Sequence, residues 1–215
     1  RSSSQSTALL VVDLQYDFLP DGSLAVPGGD EIIPHVLRLV NGFNEKERIV
    51  VATQDWHPAG HGSFASAHGK DVFSMGTLGG IDQVMWPDHC VQESRGAELH
   101  DDLPQDKVTK ILRKGIKQHM DSYSGFFDNQ EHNDTGLDLY LKSANTQSVV
   151  VCGLATDFCV CYTALDARKL GYKVYLVLEA CRGIDSPPGY VDKEVQKMVD
   201  AGVEIVTTQQ VLALI

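Results

Sequence analysis

Long apolar runs are missing from this chain. Its purest apolar stretches, 8–12 and 174–177, fall far short of the roughly 20 residues that cross a bilayer, which argues against a membrane-spanning helix. Positive charge is also scarce: 18 Lys and Arg stand against 29 Asp and Glu, a formal net charge of -11, and the basic residues are scattered singly. Such a surface repels a phosphate backbone and excludes nucleic acid as a partner. Cysteine is thin, with 5 residues at irregular spacing. An odd, irregular set fits reduced intracellular thiols better than a disulfide framework, and so a cytoplasmic address. Internal repeats and low-complexity tracts are absent, which sets aside solenoids and disorder.

What is present is ordinary globular material, 43% hydrophobic and 22% charged, in 215 residues. That length suits one α/β domain, so residues 1–215 are expected to form a single domain. Short Val- and Ile-rich runs at 8–14, 48–53, 108–112, 148–152, 173–178 and 203–207 read as buried strands. Helical patterns lie between them at 30–43, 136–142, 157–170 and 191–201, the last two ended by Gly171 and Gly202. Strands alternating with helices imply a three-layer α/β fold: a mainly parallel central sheet of about six strands with helices on both faces. Ligands of such sheets bind beyond the carboxyl ends of the strands. The segment 55–103, rich in Gly, His, Ser and Asp, has weak periodicity, and connections of that length usually serve function.

The strand ends carry the chemistry. Asp13 stands where the first strand runs out, and a partly buried carboxylate there can take and give a proton, although a turn or capping role is the plainer reading. Asp55 and His57 flank one residue after the second strand and can reach a common zinc, iron or manganese ion. His89, in a Pro-stiffened turn, completes a two-His, one-carboxylate set with open positions, with Cys90 as a softer rival and His61 as an orienting neighbour. Lys114 ends the third strand, where a solvated charge is the ordinary outcome. Cys159 follows the strand 148–152 across a small-residue turn and starts a helix, where unpaired N–H groups should lower its pKa. The amides of Ala155 and Cys159 are placed to bind an oxyanion. A buried packing role remains the alternative for Cys159, and Cys161, two residues on, fits that role.

The stretches "VVDLQYDF", "ATQDWHPAGHGSF", "WPDHCV", "RKG", "YSGF", "VCGLATDFCV" and "EACRG" span roughly 9–206 in that order. Together they resemble the isochorismatase-like cysteine hydrolases. The resemblance implies Cys159 as nucleophile, Asp13 as general acid and base, and Lys114 as the cation that holds both in their reactive states. It implies one divalent metal, zinc with iron or manganese as substitutes, on Asp55, His57 and His89, and a cis peptide between Leu154 and Ala155. Phe18 and Trp86 match positions flanking a heteroaromatic ring, with Tyr123 closing the pocket. Within the family, relatives without the metal set act on isochorismate or on carbamoyl and ureido amides. The Asp-Trp-His stretch with His89 implies instead the small-molecule substrate nicotinamide, hydrolysed through a thioester to nicotinate and ammonia in NAD salvage. A non-catalytic metal or thiol sensor is a competing class, and a homo-oligomer is compatible with the chain.

Overall fold

The computed structural model describes residues 6–215. The apolar runs become β1 (Thr7–Val12) and β2 (Val50–Asp55), then, after a small antiparallel hairpin of β3 (Met75–Leu78) and β4 (Ile81–Val84), β5 (Lys110–Lys114), β6 (Ser148–Leu154), β7 (Lys173–Arg182) and β8 (Glu204–Val206). Six of them form one sheet in the order β5-β2-β1-β6-β7-β8, with every neighbouring pair parallel. Strands β1, β2 and β6 are buried along their whole length, as a sheet covered on both faces requires, which is why they read as unbroken apolar runs.

Among the described residues five α-helices cover the sheet: α1 (Ile33–Glu45), α2 (Leu137–Ser143), α3 (Cys161–Lys169), α4 (Tyr190–Asp200) and α5 (Thr208–Leu214). Crossovers step one way from β1 to β2 and the other way from β6 to β7. Right-handed connections therefore put α1 on one face and α3 on the other. Packing agrees, since α1 contacts α5 and α3 contacts α4. The expected parallel sheet of six strands between helical layers is what forms. The order reverses between β1 and β6, and a reversal of this kind opens a crevice beyond the strand ends. Among the described residues no helix is long and apolar enough to cross a membrane.

Three departures from the sequence reading have local causes. The weakly periodic 55–103 contains the β3–β4 hairpin, whose turn is Gly79-Gly80 with φ of 61° and 84°. A Gly-Gly pair suits a two-residue turn with both φ positive, and that signal was in the sequence. Strand β7 runs on to Arg182, past the expected end at residue 178, with an irregularity in its pairing between Val151 and Gly153 of β6. Helix α5 is short and was not expected; it is announced by a capping box in which Thr207 and Gln210 satisfy each other's backbone N–H groups.

Gly153 is indispensable at the centre of the sheet. Its φ is 120°, and a Cβ there would lie 2.1 Å from the Val12 carbonyl oxygen on the neighbouring strand. Gly153→Ala should therefore destabilise the fold by more than about 2 kcal/mol, combining backbone strain with a forced strand separation. Chemical denaturation against the parent chain measures this, and a change within experimental error would contradict the packing described here.

Candidate active site and metal centre

Register brings the strand-end residues together. Val12 pairs with Gly153 and Asp55 with Lys114, so the segments following β1 and β6 leave the sheet side by side, next to β2 and β5. Asp13 adopts a left-handed backbone, φ 50°, while its N–H donates to the Thr53 carbonyl at 3.2 Å. The turn buries its carboxylate, and the Thr53 hydroxyl donates to Asp13 Oδ1 at 2.7 Å.

The Lys114 ammonium is the hub. It is only 2% exposed, and its three N–H bonds are shared among four acceptors: Asp13 Oδ2 at 2.9 Å, Asp55 Oδ1, the Ser122 carbonyl at 3.0 Å and Cys159 Sγ at 3.3 Å. Burial opposes its charge, but Asp13 and Asp55 outweigh that and hold its pKa well above the usual value. The two carboxylates share it unequally. Burial pushes Asp13 up to about 6 against the pull of Lys114. At Asp55, burial also opposes ionisation, but Lys114 and the neighbouring imidazoles hold it well below the carboxylate range.

Cys159 does not sit on an ordinary helix start. Thr156–Val160 form a π-helical turn before α3, and the Ala155 carbonyl accepts from both the Phe158 and the Val160 N–H at 3.1 Å. Such turns cluster at functional sites. The expected drop in the thiol's pKa is reversed: burial drives it well above its usual value, with Lys114 pulling down and Asp13 and Asp55 pushing up. Desolvation outweighs the helix terminus here, so the resting sulfur keeps its proton beside Asp13. The peptide between Leu154 and Ala155 is cis, as the family resemblance implied.

Beside this triad, Asp55, His57 and His89 bring one ligand atom each within 4.8 Å of one another. Their rings are oriented for a cation. Nδ1 of His57 bonds to the Gly115 carbonyl at 2.8 Å and Nδ1 of His89 to the Pro87 carbonyl at 2.8 Å, which turns both Nε2 atoms toward Asp55 Oδ2, at 3.6 and 3.8 Å. His57 Nε2 is one of two buried side-chain polar atoms without a partner among the described residues. A buried ring nitrogen without a partner, facing a carboxylate and a second imidazole, fits a divalent metal with open positions. Burial lowers His89 to about 4, leaving its lone pair free, whereas at His57 the neighbouring Asp55 outweighs burial and holds the pKa above its usual value. His61 is not a ligand: Ser63 and the carbonyls of Lys117 and Met120 occupy its nitrogens, and its ring lies 4.2 Å from that of His57. Cys90 is not one either; it stays outside the ligand set with its pKa raised by burial.

A narrow pocket joins the two sites, lined by Phe18, Trp86, Tyr123 and Ala155 as well as Asp55, His89 and Cys159. The Tyr123 hydroxyl accepts from Trp86 Nε1 at 3.1 Å and Gln83 Nε2 at 3.0 Å, so the aromatic wall is braced by the β3–β4 hairpin. Asp13, Lys114 and Cys159, the Asp55, His57 and His89 cluster, and Phe18, Trp86, Tyr123 and Ala155 thus lie close together, whereas Cys161 is turned away toward Glu194. The sequence reading missed Thr53, Asp121, Ser122, Phe158 and Ile184. Thr53 was visible as a polar residue closing an apolar strand, and Asp121-Ser122 directly precede the quoted "YSGF". Ile184 reaches the pocket only because β7 is longer than expected.

Residues 7–210 match the isochorismatase domain. The chain belongs to the isochorismatase family. Among its relatives in that family, the nicotinamidase of Escherichia coli (strain K12) is 46% identical over 93% of this chain and 94% of its own length. A solved Acinetobacter baumanii nicotinamidase/pyrazinamidase superposes with a TM-score of 0.90 at 44% identity, covering 96% of this chain and 98% of that one. The pyrazinamidase of Pyrococcus horikoshii, solved in complex with zinc, gives a TM-score of 0.78 at 40% identity over 94% of this chain and 99% of its own.

Within this isochorismatase-family site, Gly115 supplies the carbonyl that orients His57, and a Cβ at 115 would lie 2.4 Å from the His57 ring. Gly115→Ala should weaken zinc binding by about 10- to 100-fold, the usual cost of disturbing a ligand's orienting partner. Equilibrium dialysis with metal analysis checks this, and parental affinity would contradict the assignment of His57 as a ligand.

Proposed function

We propose that this isochorismatase-family enzyme hydrolyses the small molecule nicotinamide to nicotinate and ammonia, with Cys159 as nucleophile. The observation that carries the reading is the Lys114 ammonium held at once on Asp13 and on Cys159 Sγ, at 2.9 and 3.3 Å, beside a ligand cluster suited to a metal. The identity to nicotinamidases over nearly the whole chain supports the same substrate.

The ring lies between Phe18 and Trp86, with its carboxamide carbon facing Sγ. Asp13 takes the thiol proton as the sulfur attacks that carbon, and the N–H groups of Ala155 and Cys159 receive the developing oxyanion. Asp13 then passes its proton to the leaving nitrogen, and the C–N bond of the tetrahedral adduct breaks to release ammonia and leave the thioester. A water molecule loses a proton to Asp13 and attacks the thioester, nicotinate is released, and the proton returns to the sulfur. Lys114 stabilises the negative charge as it moves between Asp13 and Cys159. Asp55, His57 and His89 would hold a divalent ion, which would supply a Lewis-acidic point for the substrate's ring nitrogen or for water.

The metal cluster argues against the carbamoyl and ureido branch, and a sensor module leaves the buried Lys114–Asp13–Cys159 arrangement without a purpose. All of these residues come from one chain, so the reading holds for any homo-oligomeric state. We place the enzyme in the cytoplasm, a location supported by its five unpaired, buried cysteines.

Cys159→Ala should abolish ammonia release with metal content and circular dichroism unchanged, whereas Cys161→Ala should retain most activity. Full turnover by the first variant would remove the nucleophile assignment. The pH profile offers an independent check. Asp13 must be ionised to accept the thiol proton, so kcat/KM should rise with pH through its pKa, about 6. Thr53→Val removes a donor that favours the ionised carboxylate and should move this acid limb to higher pH. A limb that stays in place would mean that another group governs it.

A further inference from the structure

Asp157 lies in the π-helical turn that carries Cys159, is fully buried, and plays no part in the proton transfers. Its two carboxylate oxygens are spent on a distant loop: Oδ1 accepts from the Ile184 N–H at 3.0 Å and Oδ2 from the Asp185 N–H at 2.8 Å. That loop leaves the end of β7 and leads to α4. Gly183 lets it come close, since a Cβ there would lie 2.2 Å from Val191 Cγ2 and 3.1 Å from Asp157 Oδ1. Beyond it, Asp185, at φ 57°, accepts the Gly189 and Val191 N–H groups at 3.1 and 2.9 Å and so fastens the start of α4.

The link matters because of what the loop carries. Ile184 lines the inner pocket with Phe158 and Cys159, and it also borders the outer apolar recess of Trp86, Pro187 and Tyr190. Pocket wall and nucleophile therefore come from segments 27 residues apart in the chain, joined through one buried side chain. Hydrogen bonds from two backbone donors to one charged carboxylate are short and directional, so they fix the wall's distance from the sulfur as well as holding the loop.

We infer that Asp157 is a positioning residue for substrate: it sets the Ile184 wall against the Cys159 turn and so determines how the aromatic ring is held over the sulfur. This rests on the amide-hydrolase reading above.

Asp157→Asn is the near-isosteric test, since an amide offers one acceptor and puts a donor against the second N–H. In the metal-loaded enzyme, KM for nicotinamide should rise about tenfold with kcat altered less than about threefold, the pattern of lost binding rather than lost chemistry. Alkylation of Cys159 by iodoacetamide, which has no ring to seat, should stay within about twofold of the parent rate. Ile184→Ala should reproduce the KM effect, and the double variant should be no worse than Ile184→Ala alone. Should Asp157→Asn fail to fold, Gly183→Ala combined with Val191→Ala disturbs the same contact from the loop side and should give the same KM shift. An unchanged KM, alkylation slowed in step with kcat, or multiplying effects in the double variant would overturn the inference. A parent enzyme that releases no ammonia from nicotinamide would instead sink the underlying reading, while alkylation would still report on the turn.

Discussion

A single ammonium ion, buried among acidic groups, is the constraint around which this molecule is organised. Lys114 is taken fully out of water, a loss repaid only because Asp13, Asp55, Ser122 and Cys159 surround it with acceptors. Removing one partner from such a group typically costs ~3–5 kcal/mol, because the remaining charge is left uncompensated. The cluster can be built only where four strand ends meet, which is what the order β5-β2-β1-β6 provides. Asp55 then serves two neighbours, one oxygen turned to Lys114 and the other to the imidazoles. Acid-base chemistry and ligand set therefore share a residue and cannot be moved apart.

Much of this was legible in the sequence, for a physical reason. Asp13, Asp55 and Lys114 are polar residues at the ends of apolar runs, and a doubly covered sheet makes such residues stand out. The metal set was readable because Asp55 and His57 flank a single residue and His89 sits in a Pro-stiffened turn. What escaped were contributions that depend on the folded path: the Ser122 carbonyl on Lys114, the Gly115 carbonyl on His57, and the Ile184 wall carried by an overlong β7. Backbone carbonyls leave no mark in residue identity, and a strand's length depends on pairing with its neighbours rather than on its own composition.

The thiol's ionisation is the instructive reversal. A helix start implies an activated thiolate, yet the folded site buries Cys159 among two carboxylates and keeps its proton. Reactivity is better understood as a transfer within a buried pair than as a stored charge. Asp13, pushed toward neutrality by its own burial, is close in proton affinity to its task at neutral pH, and Lys114 compensates whichever partner is negative. The π-helical turn belongs to the same solution, since it departs from regular helix at the residue that must face Lys114.

The pairing of Val12 with Gly153 has a consequence for inheritance. Base and nucleophile follow adjacent strands, whose spacing of about 4.8 Å is fixed by hydrogen bonding in any parallel sheet. Loop exchange cannot easily alter it. The rest of the ring-holding surface, beyond Phe18 and Phe158, comes by contrast from the β3–β4 hairpin, the stretch around Tyr123 and the segment after β7, which are connections free to vary in length and composition. A lineage built on this scaffold can change what it recognises while leaving its proton chemistry untouched, and new specificities can arise without passing through an inactive ancestor.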